Sequence, residues 1–275
     1  MGRGTLGRRT AGARARVRTR VAGLHFYPVK SCAGIARRRL DLTELGPKLD
    51  RHWMIVDEGG KFLTQRELPE MALVRTLIDS RSLTISTPAG RCRVSLADRG
   101  TPTQAQVWRY RGPVEDEGDE AAGLLSRFLG RAVRLVRLAP GHDRRSSSGA
   151  KLAFVDSAPL LVISQRSLDS LNEKLPAALP MDRFRPNIVL KGGQPHQEDR
   201  WERMSIGKVE LKRVKPCSRC SITTVDQTTG IRLRPEPLKT LASYRLRGQK
   251  VLFGSYFQIE CPGTIRVGDP VEVLA

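Results

Sequence analysis

KPCSRCSITTVD, Lys215 to Asp226, holds Cys217 and Cys220 with Ser218 and Arg219 between them, and a Thr-rich apolar run comes directly after. A thiolate is a soft metal ligand or a nucleophile, and a neighbouring cation favours it. Structural zinc needs four ligands. No second Cys pair accompanies this one, and His25, His52, His142 and His196 stand apart from each other. A thioredoxin-type pair opens a helix, whereas Ser221 to Val225 reads as a strand. On the residues alone four readings stay open: zinc, a cycling disulfide, one sulfur offered to a redox metal, and a small buried cysteine at a strand start.

Outward from that stretch, the chain reads as globular. Its 275 residues can bury a sizeable core, and 39% apolar with 28% charged residues argues against wholesale disorder. No run approaches the ~18 apolar residues that span a bilayer. Five scattered cysteines fit a reducing cytoplasm better than a secreted disulfide framework. The formal net charge of +20 invites a nucleic-acid reading, yet seven of those charges are arginines within residues 1–20, leaving +13 on the body. Few aromatics interleave with the basic residues, and stacking platforms for bases need them. A polyanion binder driven by charge is therefore a lesser alternative, and an acidic partner explains a basic body as well. Residues 1–20 read as a disordered basic arm. Their Arg-rich, acid-free composition also has the look of a mitochondrial presequence.

Short alternating runs dominate from Val21 onward. Strands are expected at Val21 to Tyr27, Arg37 to Leu42, His52 to Asp57, Ala72 to Ile78 and Ala132 to Leu138. Leu83 to Thr87 and Cys92 to Leu96 flank Pro88-Ala89-Gly90, a hairpin signal. The acidic segment Val114 to Gly118 reads as a turn, and Ala121 to Gly130 as a short helix. Ala139 to Ala150 is polar and rich in Ser and Gly, which sets a boundary between domains at 21–140 and 150–275. Ser164 reads as the N-cap of a helix reaching Leu175. Strands come next at Asn187 to Leu190, Met204 to Ile206 and Val209 to Val214, then a helix from Pro237 to Arg245 and closing strands. The fold class is mainly β with a few short helices, barrel-like rather than doubly wound.

Several motifs together resemble one family. KPCSRCSITTVDQTTG with EPLKTLASYR (Glu236 to Arg245) is similar to the signature of MOSC-domain proteins, the molybdenum-cofactor sulfurase C-terminal-like domains. LHFYPVKSC (Leu24 to Cys32) and DRHWMIVDEGGKFLTQRELP (Asp50 to Pro69) resemble the family's N-terminal β-barrel domain. FVDSAPLLVIS (Phe154 to Ser164), RFRPNIVLKG (Arg183 to Gly192) and EDRWERMSIGKVELKRVKPC (Glu198 to Cys217) match in order. Within that family the chain resembles the branch of amidoxime-reducing components.

The resemblance implies two MOSC-type β-barrel domains and a molybdenum cofactor, a molybdopterin dithiolene carrying one metal. It puts the metal ligand on Cys220 and a proton-handling role on Asp156. By the same resemblance Lys30, Ser31, Arg51, Ser157, Arg185, Asn187, Ser218 and Arg219 hold the cofactor, and pyridoxal phosphate binding is a further family association. Bidentate Arg suits a phosphate and Lys adds a point charge. Ala158 stands where the family commonly has a small polar residue, and Gly193-Gln194 where some members have another cysteine.

The implied activity is two-electron reduction of an N-hydroxylated or N-oxide small molecule. Some bacterial relatives carry a [2Fe–2S] domain, and this chain has no such cysteines. A separate electron-transfer protein, a ferredoxin or a flavin reductase, is therefore expected. A carrier of cofactor or sulfur without turnover is the main alternative. No role is read for Cys217 beyond packing.

Overall fold

The computed structural model describes residues 19–233 and 235–274. The basic arm therefore lies almost wholly outside the described residues; Arg20 already opens the first strand.

The architecture is mainly β. The largest sheet has nine strands. Eight run in the order Val271–Val273, Arg203–Ile206, Val209–Ser218, Lys250–Cys261, Leu160–Ser164, Ile188–Lys191, Arg20–Phe26 and Ile35–Arg37, with Leu246–Arg247 added beside Lys250–Cys261. Val21 N donates to Asp269 O and Val271 N to Thr19 O, both over 2.9 Å. These bonds draw the two ends of the sheet together, as curling of a strongly twisted sheet requires. Inside it packs a core that includes Leu24, Val162, Ile188, Leu211 and Phe257.

A second lobe holds the four-stranded sheet of Trp53–Val56, Arg134–Leu138, Tyr110–Asp116 and Thr101–Val107, and the three-stranded sheet of Arg75–Ile78, Ser82–Thr87 and Gly90–Ser95. The helix Asp119–Leu129 closes one side with Ala121, Leu124 and Leu125. The first strands of the chain belong to the nine-stranded sheet, so chain order and lobe order interleave.

Three local readings are corrected. Ser221–Thr224 is a 3₁₀ turn, not a strand. Its hydroxyls explain why: Thr223 Oγ1 donates to Cys220 O over 3.0 Å and Thr224 Oγ1 to Ser221 O over 2.8 Å. Those local bonds compete with a ladder and win. The acidic segment expected as a turn continues a strand through Asp116. There Glu115 pairs with Arg99 over 3.0 Å, and Asp116 pairs with Arg134. The helix after Ser164 stops at Asn172, short of Leu175, although the cap is as read: Ser164 Oγ accepts from Ser167 N over 3.1 Å.

Candidate active site, a cationic cleft between the lobes

The strand Val209–Ser218 carries the cysteine pair to the edge of the large sheet. Its register against Lys250–Cys261 slips between Pro216 and Ser218, a bulge that turns the chain off the ladder. Gly254 makes the opposite strand fit. Its φ is +73, and a Cβ there would stand 2.9 Å from Val162 O, so only glycine is accommodated. Cys217 is consequently buried in the wall while Ser218, Arg219 and Cys220 emerge into a cleft.

The cleft encloses about 690 Å³, part of it open to solvent. Nine of the ten side chains singled out in the sequence line it: Lys30, Ser31, Arg51, Asp156, Arg185, Asn187, Ser218, Arg219 and Cys220. Ser157 does not. Its floor is apolar, with Phe184 against Phe253 at a centroid distance of 4.4 Å. Six described residues other than glycine have positive φ, and Ser31 (+63), Arg51 (+45) and Arg185 (+56) are all on this wall. Such backbone is costly and collects where a site fixes it.

The lining cations number four, Lys30, Arg51, Arg185 and Arg219, against the single carboxylate of Asp156. Each is anchored. Arg51 pairs with buried Asp50, whose Oδ1 also accepts from Tyr27 N over 2.7 Å. Arg51 and Arg185 both lie against the Tyr27 ring, at 4.1 and 4.3 Å from its centroid. Burial pushes the Tyr27 hydroxyl up to about 12, although both arginines oppose it. Arg185 Nη1 donates to Gln227 Oε1 over 3.3 Å, and Gln227 is clasped to Gln65 by two reciprocal hydrogen bonds between their side-chain amides, of 2.9 and 3.0 Å. Arg219 donates to Phe184 O over 2.7 Å and to Cys217 Sγ over 3.0 Å. Asn187 is a tie within the frame: Oδ1 accepts from Leu161 N and Nδ2 donates to His25 O, both over 3.2 Å.

Lys30 is buried, and its ammonium donates to Phe154 O over 2.8 Å and to the Asp156 carboxylate. That carboxylate is 38% exposed, on the side facing the cleft. Burial works to raise Asp156, but Lys30, Arg66 and the Trp108 indole outweigh it and hold the group well below the usual carboxylate range. Asp156 is therefore an ionised acceptor at neutral pH; burial lowers Lys30 from its ordinary value, and the Asp156 carboxylate opposes that shift.

Two residues at the mouth were not read from the sequence. Arg66 Nη1 donates to Cys220 Sγ over 3.6 Å. Trp108 Nε1 donates to Asp156 Oδ1 over 3.2 Å, with Arg66 stacked 4.8 Å over its ring. Trp108 carried a signal, a tryptophan standing with Tyr110 in an otherwise polar run between Thr101 and Arg111. Arg66 carried none, since solvated arginines look the same.

The arrangement suits an anion with a soft metal. Arg185 Nη2 and Arg219 Nε are buried and have no partner among the described residues. Unmet guanidinium donors in a cationic, largely enclosed wall fit a phosphate-bearing group. Cys220, half-buried, presents a sulfur beside them.

Two family models cover most of the chain: the MOSC N-terminal beta barrel domain over residues 18–132 and the MOSC domain over residues 149–272. The chain belongs to the MOSC-domain family. Over 301 aligned residues it is 38% identical to mitochondrial amidoxime-reducing component 1 of Mus musculus, covering 98% of this chain and 88% of that one. The Homo sapiens counterpart is 39% identical over 280 residues, covering 92% and 82%. A molybdenum cofactor sulfurase of Oryza sativa subsp. japonica is 35% identical over 264 residues, 86% of this chain but 32% of the sulfurase. Among the described residues no helix is long and apolar enough to cross a membrane.

Proposed function

We propose that this chain is an oxidoreductase that holds a molybdenum cofactor in the cleft and reduces N-hydroxylated small molecules. The observation that carries the reading is the half-buried Cys220 sulfur set beside two guanidinium groups with unmet donors. The names of the relatives point the same way. Bound there, the cofactor supplies the two-electron chemistry that takes oxygen from nitrogen. Cys220 serves as the protein's thiolate ligand. Arg185, Arg219 and Arg51 bind the cofactor's phosphate, and Ser31, Ser218 and the 30–31 backbone border it. The two-electron reduction takes up two protons and releases water: Lys30 is placed to donate one, the ionised Asp156 orients its ammonium, and the second proton comes from solvent at the cleft mouth.

Electrons come from a separate donor protein, a ferredoxin or a flavin reductase, for which the basic body offers charge complementarity. Free thiols fit the reducing cytoplasm. N-oxides form a second class of acceptor, distinguished by assay.

Metal and pterin analysis of protein from a cofactor-competent host tests this, with Cys220→Ala beside it. About one molybdenum per chain in wild type, lost in the variant together with amidoxime reduction, is the expected result. Wild type without molybdenum would sink the reading. The similarity to part of a sulfurase favours one other reading, a cofactor or sulfur carrier. That reading predicts a persulfide on Cys220 by mass spectrometry and no turnover.

A further inference from the structure

Trp108 sits at the tip of the hairpin of Thr101–Val107 and Tyr110–Asp116, where Val107 pairs directly with Tyr110. Its φ is +57, unfavourable for a bulky side chain and easily met by Asn or Gly. The turn itself has no use for an indole. The indole nevertheless reaches across to Asp156, carries Arg66 on its ring, and rests on Phe62 at 5.1 Å. At 43% exposure the residue stays partly open to solvent. The other exposed large hydrophobic residues among those described are aliphatic.

We infer that Trp108 is a specificity residue, whose exposed indole surface receives the flat, conjugated body of the substrate. This rests on the reductase reading above. The deep wall of Arg51, Arg185 and Arg219 faces an anion, so the substrate approaches Cys220 from the mouth. There the Cys220 sulfur is bordered by Arg66, and Arg66 by Trp108. A planar N-hydroxyamidine lies on the indole with its N–H groups directed at the Asp156 carboxylate, which accepts them. The chain thus prefers aryl-conjugated N-hydroxy compounds to small alkyl ones.

The test is equilibrium binding of benzamidoxime and acetamidoxime to the full-length, cofactor-loaded, oxidised protein by calorimetry. Stacking of this kind is worth about a factor of ten in Kd. Wild type is expected to favour the aryl compound by about tenfold or more. Trp108→Phe keeps most of that preference, and Trp108→Leu, apolar but smaller and not flat, loses about tenfold of it. Melting midpoints within a few degrees of wild type show that the hairpin is intact. An unchanged preference in Trp108→Leu, or equal binding of both compounds by wild type, overturns the assignment. Wild type that turns over neither compound overturns the reductase reading instead, and the Kd comparison still decides on Trp108.

Discussion

Arg219 donates from Nη1 to Cys217 Sγ across 3.0 Å, and this bond gives the buried cysteine of the pair a task. The sequence offered it none beyond packing. The guanidinium has two anchors, the Cys217 sulfur and Phe184 O, which hold it against the cleft wall. Cys217→Ala removes one anchor and leaves a small void, a loss of about 1–2 kcal/mol. Cys217→Ser keeps an acceptor at nearly the same place and should recover most of the bound cofactor. Urea denaturation and pterin content of the two variants check this. Equal pterin loss in both would reduce Cys217 to packing.

The Lys30–Asp156 pair makes an acid-dependent contribution to stability. A carboxyl held below its unfolded value stabilises the fold above that value, about 3.9, and the contribution is lost as pH falls through the native value. Wild type should therefore lose stability more steeply below about pH 5 than Asp156→Asn. Lys30→Met leaves the carboxylate without its ammonium. A sealed pair would lose about 3–5 kcal/mol, but Asp156 is 38% exposed, so about 2 kcal/mol is expected after solvent screening. Denaturation midpoints between pH 3 and 7 decide it.

Glu198 shows the opposite sign. It is fully buried, its Oε1 accepts from Ser167 Oγ over 2.9 Å and Ser164 N over 3.2 Å, and its Oε2 has no partner among the described residues. Burial raises its carboxyl above the usual range. Such a group costs stability as pH rises through the unfolded value, about 4.3. Glu198→Gln should accordingly raise the melting midpoint at pH 8, by about 1 kcal/mol of stability, and do little at pH 4. A variant less stable at pH 8 than wild type would contradict the assignment.

Much of this fold lay in the sequence as local pattern. The hairpin at Ser82–Ser95, the Ser164 cap and the strand at Trp53–Val56 each arise from alternation, a turn or a hydroxyl at the right place. What failed was decided by partners elsewhere in the chain in one case and by local hydroxyl bonds in another. Glu115 and Asp116 look like turn residues until Arg99 and Arg134, far along the chain, neutralise them in a strand. Ser221–Thr224 looks like a strand until its hydroxyls bond backwards. The motif resemblance named ten residues for one site, and nine of them, all but Ser157, line the cleft. Tyr27 was not named, because an aromatic at a strand end gives no sign that two guanidinium groups will face it. Arg66 and Trp108 belong to the other lobe and meet Asp156 and Cys220 only in three dimensions.

Arg144 is the residue on which the placement of Asp156 depends. It is buried, and its guanidinium donates to Ala153 O over 2.9 Å, Val155 O over 2.6 Å and Asp156 O over 3.0 Å. A planar fork satisfies three carbonyls of one short segment at once, and an ammonium has no geometry to match it. Arg144→Lys keeps the charge but frees at least one of those carbonyls, at about 1–2 kcal/mol. The local effect should exceed the global one. Amide exchange at residues 153–156 should accelerate by about tenfold or more while the core strand Leu160–Ser164 stays protected. On the proposed reductase reading, kcat for N-hydroxylated compounds should fall more than KM rises, because the displaced Asp156 no longer orients the Lys30 ammonium. Uniform acceleration of exchange across both lobes would instead mark Arg144 as a general contributor to stability, with no particular hold on the segment over the cleft.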